Sequence, residues 1–434
     1  MVYINMKKFN KDKYLKKLKF NKYKRYLYIG IPCILVLLIG IYFAYSKFSV
    51  FKEEEVVRTT VESFISDDAV IGAYIDGEYS KTIPGKNDGY VVEKVVCDND
   101  ASASWNNDKW GILVTNLTKR TKCNVYFKID PIKKIIAQLD ISGKCPSVNE
   151  DGSVSATTVE TTDGYLCKAK DAYGDSYYYR GNVTNNYVKF ADKYWRIVRI
   201  NGDGTVRVIY DGTSAHANGE LSGDRQIGST AFNSSSDDNA YVGYMYGKVG
   251  ASTYAETHAN TNNSTIKTYI DTWYENNIKG TTNEKYIVDN IFCNDRSLAP
   301  DNDDQTYRWY YFAGDVNNNR MMLICPQKND AFTVSDTTNG NGALTYPVGL
   351  LSSDEIVLAG GSGSSYYLYS GQWWWSSSPC FFDGLANVRG VSFYGNASVS
   401  NTVDDANGVR PVINLMAEVL KYGDGTSSNP YRLT

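Results

Sequence analysis

The sequence reads WWWSSSP at residues 373–379 and GVRPVINL at residues 408–415. Three successive tryptophans form a large apolar surface that needs burial, and a proline after Ser378 disfavours a continued regular element. We therefore predict a core strand that ends at Pro379 and a second buried strand that carries Arg410. The three tryptophans and Arg410 are predicted to belong to the core, with Arg410 paired to a buried acceptor.

Residues 379–408 run from the last residue of the first stretch to the first residue of the second. They contain no Lys, Glu, Gln, Met or Trp. Stop codons aside, randomising both adenines of an Asn codon cannot produce these five residue types. The composition therefore suggests a segment that is diversified at adenines. Residues 329–354 lack the same five types and have no such explanation, so composition alone also leaves an ordinary loop open.

Loops held on a rigid base are where recognition is usually placed. We therefore predict that this segment displays a ligand-binding face, and its mixture of aromatic, Arg, Asn and Asp side chains suits protein recognition. We predict that four apolar residues face inward and hold the scaffold: Val388, Val391, Ala397 and Val403. The predicted display positions are Cys380, Phe381, Asp383, Leu385, Asn387, Arg389, Ser392, Phe393, Tyr394, Asn396, Ser398, Asn401, Asp404, Asp405 and Ala406.

Further motifs accompany the tryptophan stretch: AxVxxV at 386–391, GYLC at 164–167, YYYRG at 177–181 and YWRIVRINGDG at 194–204. In this order the motifs resemble those of the C-type-lectin-fold surface domains of bacteria. That family includes variable proteins diversified by retroelements and, more distantly, formylglycine-generating (sulfatase-modifying) enzymes. The resemblance covers about residues 164–420. It implies the fold more than the function, because one fold hosts many unrelated sites.

The resemblance implies an α+β fold class, and the high Tyr, Asn, Gly and Ser content favours β-rich structure with long loops. We expect a C-type-lectin-like domain preceded by a small all-β domain and a single N-terminal transmembrane helix. The predicted segments are a basic cytoplasmic tail at 1–25, a transmembrane signal anchor at 26–46, a juxtamembrane stalk at 47–65, a small all-β domain at 66–144, a linker at 145–167, a C-type-lectin-like ligand-binding domain at 168–421 and a C-terminal tail at 422–434.

Two local patterns predict secondary structure directly. Residues 70–79 form two short β runs around Asp76-Gly77, which is the signal of a β-hairpin. A helix is predicted within Ser264–Ile278, because apolar residues recur there at helical spacing, at Ile266, Tyr269, Ile270, Trp273 and Ile278.

The N-terminal region carries the signals of a membrane anchor. Residues 1–25 have a net charge of +9, and residues 26–46 contain no charged side chain. Twenty-one uncharged residues suffice to span a bilayer, and the basic flank should stay in the cytoplasm. The sequence thus predicts a single-pass protein of the cell membrane, anchored through residues 26–46, with its C-terminal region extracellular. A cleaved signal peptide is the alternative.

The remainder of the chain is acidic, because the whole chain carries −3 and residues 1–25 carry +9, which leaves −12. Nucleic acid is therefore not an expected partner, since phosphate binding needs a basic surface. Seven cysteines follow the predicted span, an odd number. Their order suggests three local disulfides, Cys97–Cys123, Cys145–Cys167 and Cys293–Cys325, with Cys380 left over, although sequence alone does not fix connectivity.

Few residues suggest catalysis. The two histidines, His216 and His258, lie in polar sequence without Cys, Asp or Glu at metal spacing, and no cysteine pair matches that of formylglycine-generating enzymes. We therefore expect neither an enzyme nor a cofactor. Calcium is the open alternative, because lectins of the family hold sugars through this ion. The candidate ligands are Asp301, Asp303 and Asp304.

The sequence as a whole predicts a membrane-anchored bacterial surface protein that binds an extracellular protein or glycan non-covalently. It would be a retroelement-diversified receptor or an adhesin. Two alternatives remain open at this stage: a structural protein of the cell envelope that has no specific ligand, and an enzyme of formylglycine-generating ancestry.

Overall fold

A computed structural model describes the chain in two compact units, Met1–Asp130 and Pro131–Thr434. The division precedes the predicted domain limit at residue 144, because Ile132 and Ile135 pack into the core of the second unit. The residues that the structure describes are 69–86, 88–115, 121–140, 142–155, 163–298, 308–309, 320–361, 363–397 and 399–434.

The first unit contains a four-stranded sheet and a separate hairpin. Its strands are β1 (Ala69–Ile75), β2 (Glu78–Ser80), β3 (Tyr90–Cys97), β4 (Ser102–Asn106), β5 (Gly111–Thr115) and β6 (Thr121–Ile129). The sheet has the order β2-β1-β6-β3, and β4 pairs with β5. The predicted hairpin is confirmed: Asp76 and Gly77 connect β1 and β2 with φ angles of 49° and 90°, the left-handed values that such a turn requires.

The second unit is built around two six-stranded sheets. The first sheet contains β7 (Gly164–Asp171), β8 (Gly174–Gly181), β9 (Tyr187–Phe190), β10 (Lys193–Ile200), β11 (Val206–Gly212) and β22 (Val412–Leu415). Its order is β22-β11-β10-β8-β7, and β9 pairs with β10. Every residue of β11 and β22 is buried, so these strands form the centre of the unit.

The second sheet carries the tryptophan stretch. It contains β12 (Ser229–Ala231), β16 (Arg308–Trp309), β18 (Trp374–Phe382), β19 (Ala386–Val391), β20 (Val399–Thr402) and β21 (Ala406–Gly408). Its order is β12-β21-β18-β19-β20, and β16 pairs with β18. Two short pairs complete the strands: β13 (Met245–Tyr246) with β14 (Asn262–Asn263), and β15 (Phe292–Cys293) with β17 (Ala331–Phe332).

The helices within the described residues are short. They are α1 (Pro131–Ile136), α2 (Tyr254–Thr257), α3 (Thr265–Asn277) and α4 (Ser353–Leu358), with 3₁₀ turns at Gly223–Arg225, Asn239–Val242, Glu284–Tyr286, Lys328–Asp330 and Ala417–Leu420. The helix predicted from apolar spacing is confirmed as α3. Ser264 caps its N-terminus by accepting a hydrogen bond from the Lys267 amide, and Ile266 and Ile270 are fully buried.

The tryptophan stretch behaves partly as predicted. Trp374 and Trp375 are fully buried, but Trp373 is 39% exposed, so its assignment to the core is wrong. The predicted end of the strand at Pro379 is also wrong, because β18 continues to Phe382. Its pairing with β19 shifts register on both sides of Pro379, and such irregularities let a strand contain a residue that has no N–H to donate.

The predicted α+β class is wrong. The structure is mostly β, with 36% strand and 14% helix in several sheets. Among the described residues the longest helix has thirteen residues, and sheets dominate the core.

The prediction of a single-pass location in the cell membrane is corrected as well. Within the described ranges, no helix is long and apolar enough to cross a membrane. The predicted span at 26–46, together with the tail and stalk around it, lies outside those ranges.

The predicted disulfides are confirmed in number and connectivity. Cys97 bonds Cys123, Cys145 bonds Cys167 and Cys293 bonds Cys325. Cys380 is the free cysteine of the described residues, and it is buried.

Candidate functional site

The exposed display positions lie in two separate groups, one at each end of strand β19. One group lies in the turn that precedes β19 and in the turn between β20 and β21, and the other lies in the turn that follows β19. The six residues of β19 span on the order of 17 Å at the usual rise of a strand, so the two groups lie at opposite ends of the sheet. The display positions therefore do not form one continuous face.

The turn after β19 presents two aromatic side chains. Phe393 is 48% exposed and Tyr394 is 75% exposed, and their rings meet edge to face with centroids 5.1 Å apart. Adjacent exposed aromatic side chains form an apolar patch, and it is contiguous patches rather than single exposed side chains that mark interaction sites. This turn is the most conspicuous candidate for a binding site among the display positions.

Hydrogen bonds hold the aromatic turn rigidly. The Ser392 amide donates to the Asn396 carbonyl at 2.9 Å, and the Gly395 amide donates to the Ser392 carbonyl at 2.8 Å. The Ser392 hydroxyl oxygen also accepts from the Tyr394 and Asn396 amides at 3.2 Å. From beneath, the Tyr366 hydroxyl donates to the Gly395 carbonyl at 3.0 Å. Ser392 is therefore buried and serves as a structural residue of the turn rather than as a contact residue.

Gly395 brings the turn close to a neighbouring segment. Its φ of 83° is left-handed, and a Cβ at this position would clash with the Gly363 carbonyl and lie 2.8 Å from the Tyr369 ring. A Cβ on Gly371 would likewise lie 3.4 Å from the Leu221 side chain and 3.8 Å from the Tyr369 hydroxyl. Tyr369 thus adjoins the aromatic turn, and its hydroxyl and the Leu221 side chain are both neighbours of Gly371.

Leu221 extends the apolar surface beyond the predicted segment, because its side chain is 66% exposed. We define the aromatic surface as Phe393, Tyr394, Tyr369 and Leu221. The sequence prediction missed Tyr369 and Leu221, since both lie outside residues 379–408 and only the fold brings them to the turn.

The group at the opposite end of β19 is acidic. Its exposed members are Asp383, Leu385, Asp404, Asp405 and Ala406, and the exposed fraction of Leu385 is 50%. The Val403 amide donates to the Ala386 carbonyl at 3.0 Å, which holds the two turns of this group side by side. The Ser236 hydroxyl donates to Asp404 at 3.1 Å.

The remaining display positions are less accessible. Cys380 and Asn387 are buried, whereas Phe381, Arg389, Asn396 and Asn401 are half-buried; Ser398 lies outside the described residues. Burial raises the pKa of the Cys380 thiol, which keeps it protonated and disfavours a nucleophilic role. The four residues predicted to face inward do so, because Val388, Val391, Ala397 and Val403 are completely buried.

A buried charge cluster supports the loop that carries Leu221. The Asp211 carboxylate accepts hydrogen bonds from Arg225 at 2.8 and 3.0 Å and from Arg410 at 2.7 Å, and all three side chains are fully buried. The predicted pairing of Arg410 with a buried acceptor is therefore confirmed. Arg225 also donates to the Glu220 carbonyl at 2.9 Å and the Tyr369 carbonyl at 3.1 Å, which joins the loop to the aromatic surface.

His216 lies on the same loop between two carboxylates. Its Nδ1 is 2.9 Å from Glu220 Oε1, and its Nε2 is 2.7 Å from Asp224 Oδ1. The hydrogen bond with His216 lowers the pKa of Glu220. Burial raises the pKa of Asp224, but hydrogen bonds from Ser222 and Thr213 and the charge of His216 outweigh burial and lower that pKa to about 2.

The calcium candidates Asp301, Asp303 and Asp304 lie outside the described residues. In the part of the chain that is described, no group of three or more His, Cys, Asp or Glu side chains is arranged to hold a metal ion. His258 packs its ring against Tyr254, with ring centroids 4.2 Å apart, and its Nδ1 is 2.9 Å from the Tyr254 carbonyl.

Comparison of the chain with protein-family models, with curated proteins and with solved structures finds no match. The resemblance to C-type-lectin-fold surface domains therefore stays a prediction from sequence motifs, and the residues of the site carry the functional argument.

Proposed function

We propose that this protein binds an extracellular ligand non-covalently through the aromatic surface. The observation that carries the proposal is the turn at Phe393 and Tyr394, where two large side chains are exposed on a backbone fixed by several hydrogen bonds. A rigid turn loses little conformational entropy on binding, and exposed aromatic side chains are the commonest anchors of protein recognition. A protein is therefore the favoured ligand, and a glycan is the alternative.

We place the protein, in this proposal, outside the cell or at its surface. Three disulfides support this location, because such bonds form and persist in oxidising environments. The mechanism requires no cofactor: apolar and aromatic contacts would supply most of the affinity, and polar groups around the turn would supply specificity. Diversification by a retroelement stays part of the proposal, because residues 379–408 contain both the aromatic turn and the acidic group.

The test compares the purified full chain with two matched variants on arrays of surface proteins and of glycans. Phe393→Ser combined with Tyr394→Ser removes the aromatic turn's side chains. Leu385→Ser, at the opposite end of β19, changes another exposed apolar residue and serves as the control. Both variants are checked for an unchanged thermal transition.

The proposal predicts a ligand that the double variant loses and the control retains. Loss of about 2 kcal/mol or more of binding free energy is expected, since aromatic anchors at interfaces typically contribute that much. A ligand that still binds the double variant but no longer binds Leu385→Ser would place the binding site at the acidic end of β19. If neither array yields a ligand, the proposal fails and a structural role in the cell envelope becomes the better account.

A further inference from the structure

His216 can donate hydrogen bonds to both of its carboxylate neighbours only as the positively charged imidazolium. Its two nitrogens each face a carboxylate oxygen within hydrogen-bond distance, Glu220 Oε1 at 2.9 Å and Asp224 Oδ1 at 2.7 Å. A neutral imidazole has a single N–H, so one of the two carboxylates would then face a nitrogen lone pair. Only the imidazolium form donates to both. The His216 side chain is 6% exposed, whereas those of Glu220 and Asp224 are 47% and 33% exposed, so the ring is the buried member of both contacts.

These two contacts hold the loop of residues 213–226 on both sides of Leu221, because Glu220 precedes Leu221 and Asp224 follows it. Asp224 begins a short chain of bonds that includes Ser222, whose hydroxyl donates to Asp224 at 2.6 Å. The Glu220 carboxylate also accepts from the Ala217 amide at 2.9 Å. The position of Leu221 thus depends on both carboxylates that bond the same ring.

The loop is connected to the aromatic surface by backbone contacts. The Gly219 amide donates to the Tyr369 carbonyl at 3.1 Å, and Arg225 donates to the same oxygen at 3.1 Å. The Leu221 side chain and the Tyr369 hydroxyl both lie near Gly371. Loosening the loop would therefore disturb half of the aromatic surface while leaving Phe393 and Tyr394 on their own turn.

We propose that the His216 imidazolium, held between Glu220 and Asp224, is a pH-sensitive clamp that keeps Leu221 and Tyr369 in place, and that the clamp opens as pH rises. The consequence for binding rests on the function proposed above. The clamp itself is a property of the loop and can be tested without a ligand.

The direction of the pH dependence follows from the groups around the ring. Both carboxylates have lowered pKa values, so they stay ionised well below neutral pH, and the clamp is complete once His216 carries its proton. Histidine is the side chain whose ordinary protonation change falls near neutral pH, and loss of that proton breaks one contact. The titratable and charged groups that surround the ring or adjoin its partners are Glu220, Asp224, Arg225, Tyr187 and Tyr210.

The arginine and tyrosines do not reverse this direction. The Tyr187 hydroxyl donates to the His216 carbonyl at 2.6 Å, and burial raises the pKa of Tyr187, so the contact persists at alkaline pH. Burial and the charge of Asp224 raise the pKa of Tyr210 to about 12. Arg225 stays bonded to Asp211.

The test is hydrogen exchange of the full chain at several pH values, followed by mass spectrometry and corrected for the intrinsic pH dependence of exchange. Peptides that cover residues 213–226 report the clamp, and peptides from α3 serve as the internal control. Protection of residues 213–226 should fall about tenfold from mildly acidic to alkaline pH, since a charge-assisted hydrogen bond is worth about that factor in local opening. Protection of α3 should not change.

The variant His216→Gln can fill the space but cannot bond both carboxylates as a cation. Its residues 213–226 should show low protection at every pH, with no pH dependence. The clamp is refuted if protection in the wild-type protein does not change with pH, or if His216→Gln keeps the wild-type pH profile.

A second measurement covers the case in which His216→Gln does not fold. Long-range ¹H–¹⁵N spectra of the wild-type protein show whether each ring nitrogen carries a proton, and the chain has two histidines to assign. The His258→Gln variant identifies the signals of His216 by elimination. A neutral His216 ring at pH 6 would overturn the proposal. None of these results depends on a ligand, so failure of the binding proposal and failure of the clamp are distinguishable.

Discussion

Replacement of Asp211 by Asn should strongly destabilise the second unit. Asp211 is fully buried and is the carboxylate that bonds both Arg225 and Arg410, which are also fully buried. A third guanidinium, that of Arg196, lies 3.9 Å from Asp211 Oδ2. Asparagine keeps the shape of the side chain and removes its charge, so the substitution tests electrostatics rather than packing.

The magnitude follows from the number of charges left without a partner. Removing one member of a buried ion pair costs about 3–5 kcal/mol, and Asp211→Asn strands two guanidiniums at direct contact. Burial lowers the pKa of Arg410 to about 10 even with Asp211 present. Arg410 also donates to the Tyr210 and Leu368 carbonyls, but these neutral acceptors do not replace the charge of the carboxylate. We expect a loss of about 5 kcal/mol or more, which is comparable to the whole stability of many domains.

The assay is urea unfolding of the full chain, followed by tryptophan fluorescence. Trp195, Trp374 and Trp375 are completely buried in the second unit and will report its unfolding. The matched control is Asp175→Asn, which breaks an ion pair with Lys168 whose side chains are 48% and 44% exposed. That control should cost less than about 1 kcal/mol. An Asp211→Asn protein within about 1 kcal/mol of wild type would refute the assignment of Asp211 as the charge partner of this cluster.

Three further predictions concern pH, disulfides and sequence variation. Burial raises the pKa of Asp354 to about 8, so the folded state holds a proton that the unfolded state releases above about pH 4. Asp354→Asn should therefore stabilise the protein, and the gain should grow from pH 4 to pH 8. Urea unfolding at pH 8 should show a gain of more than about 1 kcal/mol. A flat difference across that range would show that Asp354 titrates normally. Replacing Cys145 and Cys167 together by Ser should cost about 3 kcal/mol, because the bond closes a loop with a sequence separation of 22, and an unchanged melting temperature would contradict this. If residues 379–408 are diversified, sequences of the gene from sibling strains should vary at the exposed display positions and keep Val388 unchanged. Variation spread evenly over the segment would remove the retroelement from the proposal.

Local patterns in the sequence were good predictors wherever one element determines its own environment. The spacing of apolar residues identified α3, the Asp76-Gly77 turn identified the first hairpin, and the order of the cysteines gave the three disulfides. The tryptophan stretch identified a core strand. It could not reveal that Trp373 stays partly exposed, because which side chain of a run is covered depends on the neighbouring strands rather than on the run itself.

The candidate site was less accessible to sequence reasoning, because it is assembled from distant segments. Tyr369 and Leu221 join the aromatic turn through contacts between residues that are far apart in the chain. His216 was dismissed for want of metal-ligand spacing, whereas its neighbours Glu220 and Asp224 bond the ring as hydrogen-bond acceptors. Glu220 and Asp224 follow His216 by four and eight residues in the sequence. Only the turn at Gly223–Arg225 brings the second carboxylate to the ring.

The bond between Cys145 and Cys167 also determines how the protein would respond to a protease. The chain between the two cysteines is a single covalent ring once the sulfurs are joined. A cut at any peptide bond between them opens the ring, yet it releases neither the N-terminal nor the C-terminal fragment. Such a nicked protein would keep its full mass on a non-reducing gel, and it would separate into two pieces only after the disulfide is reduced.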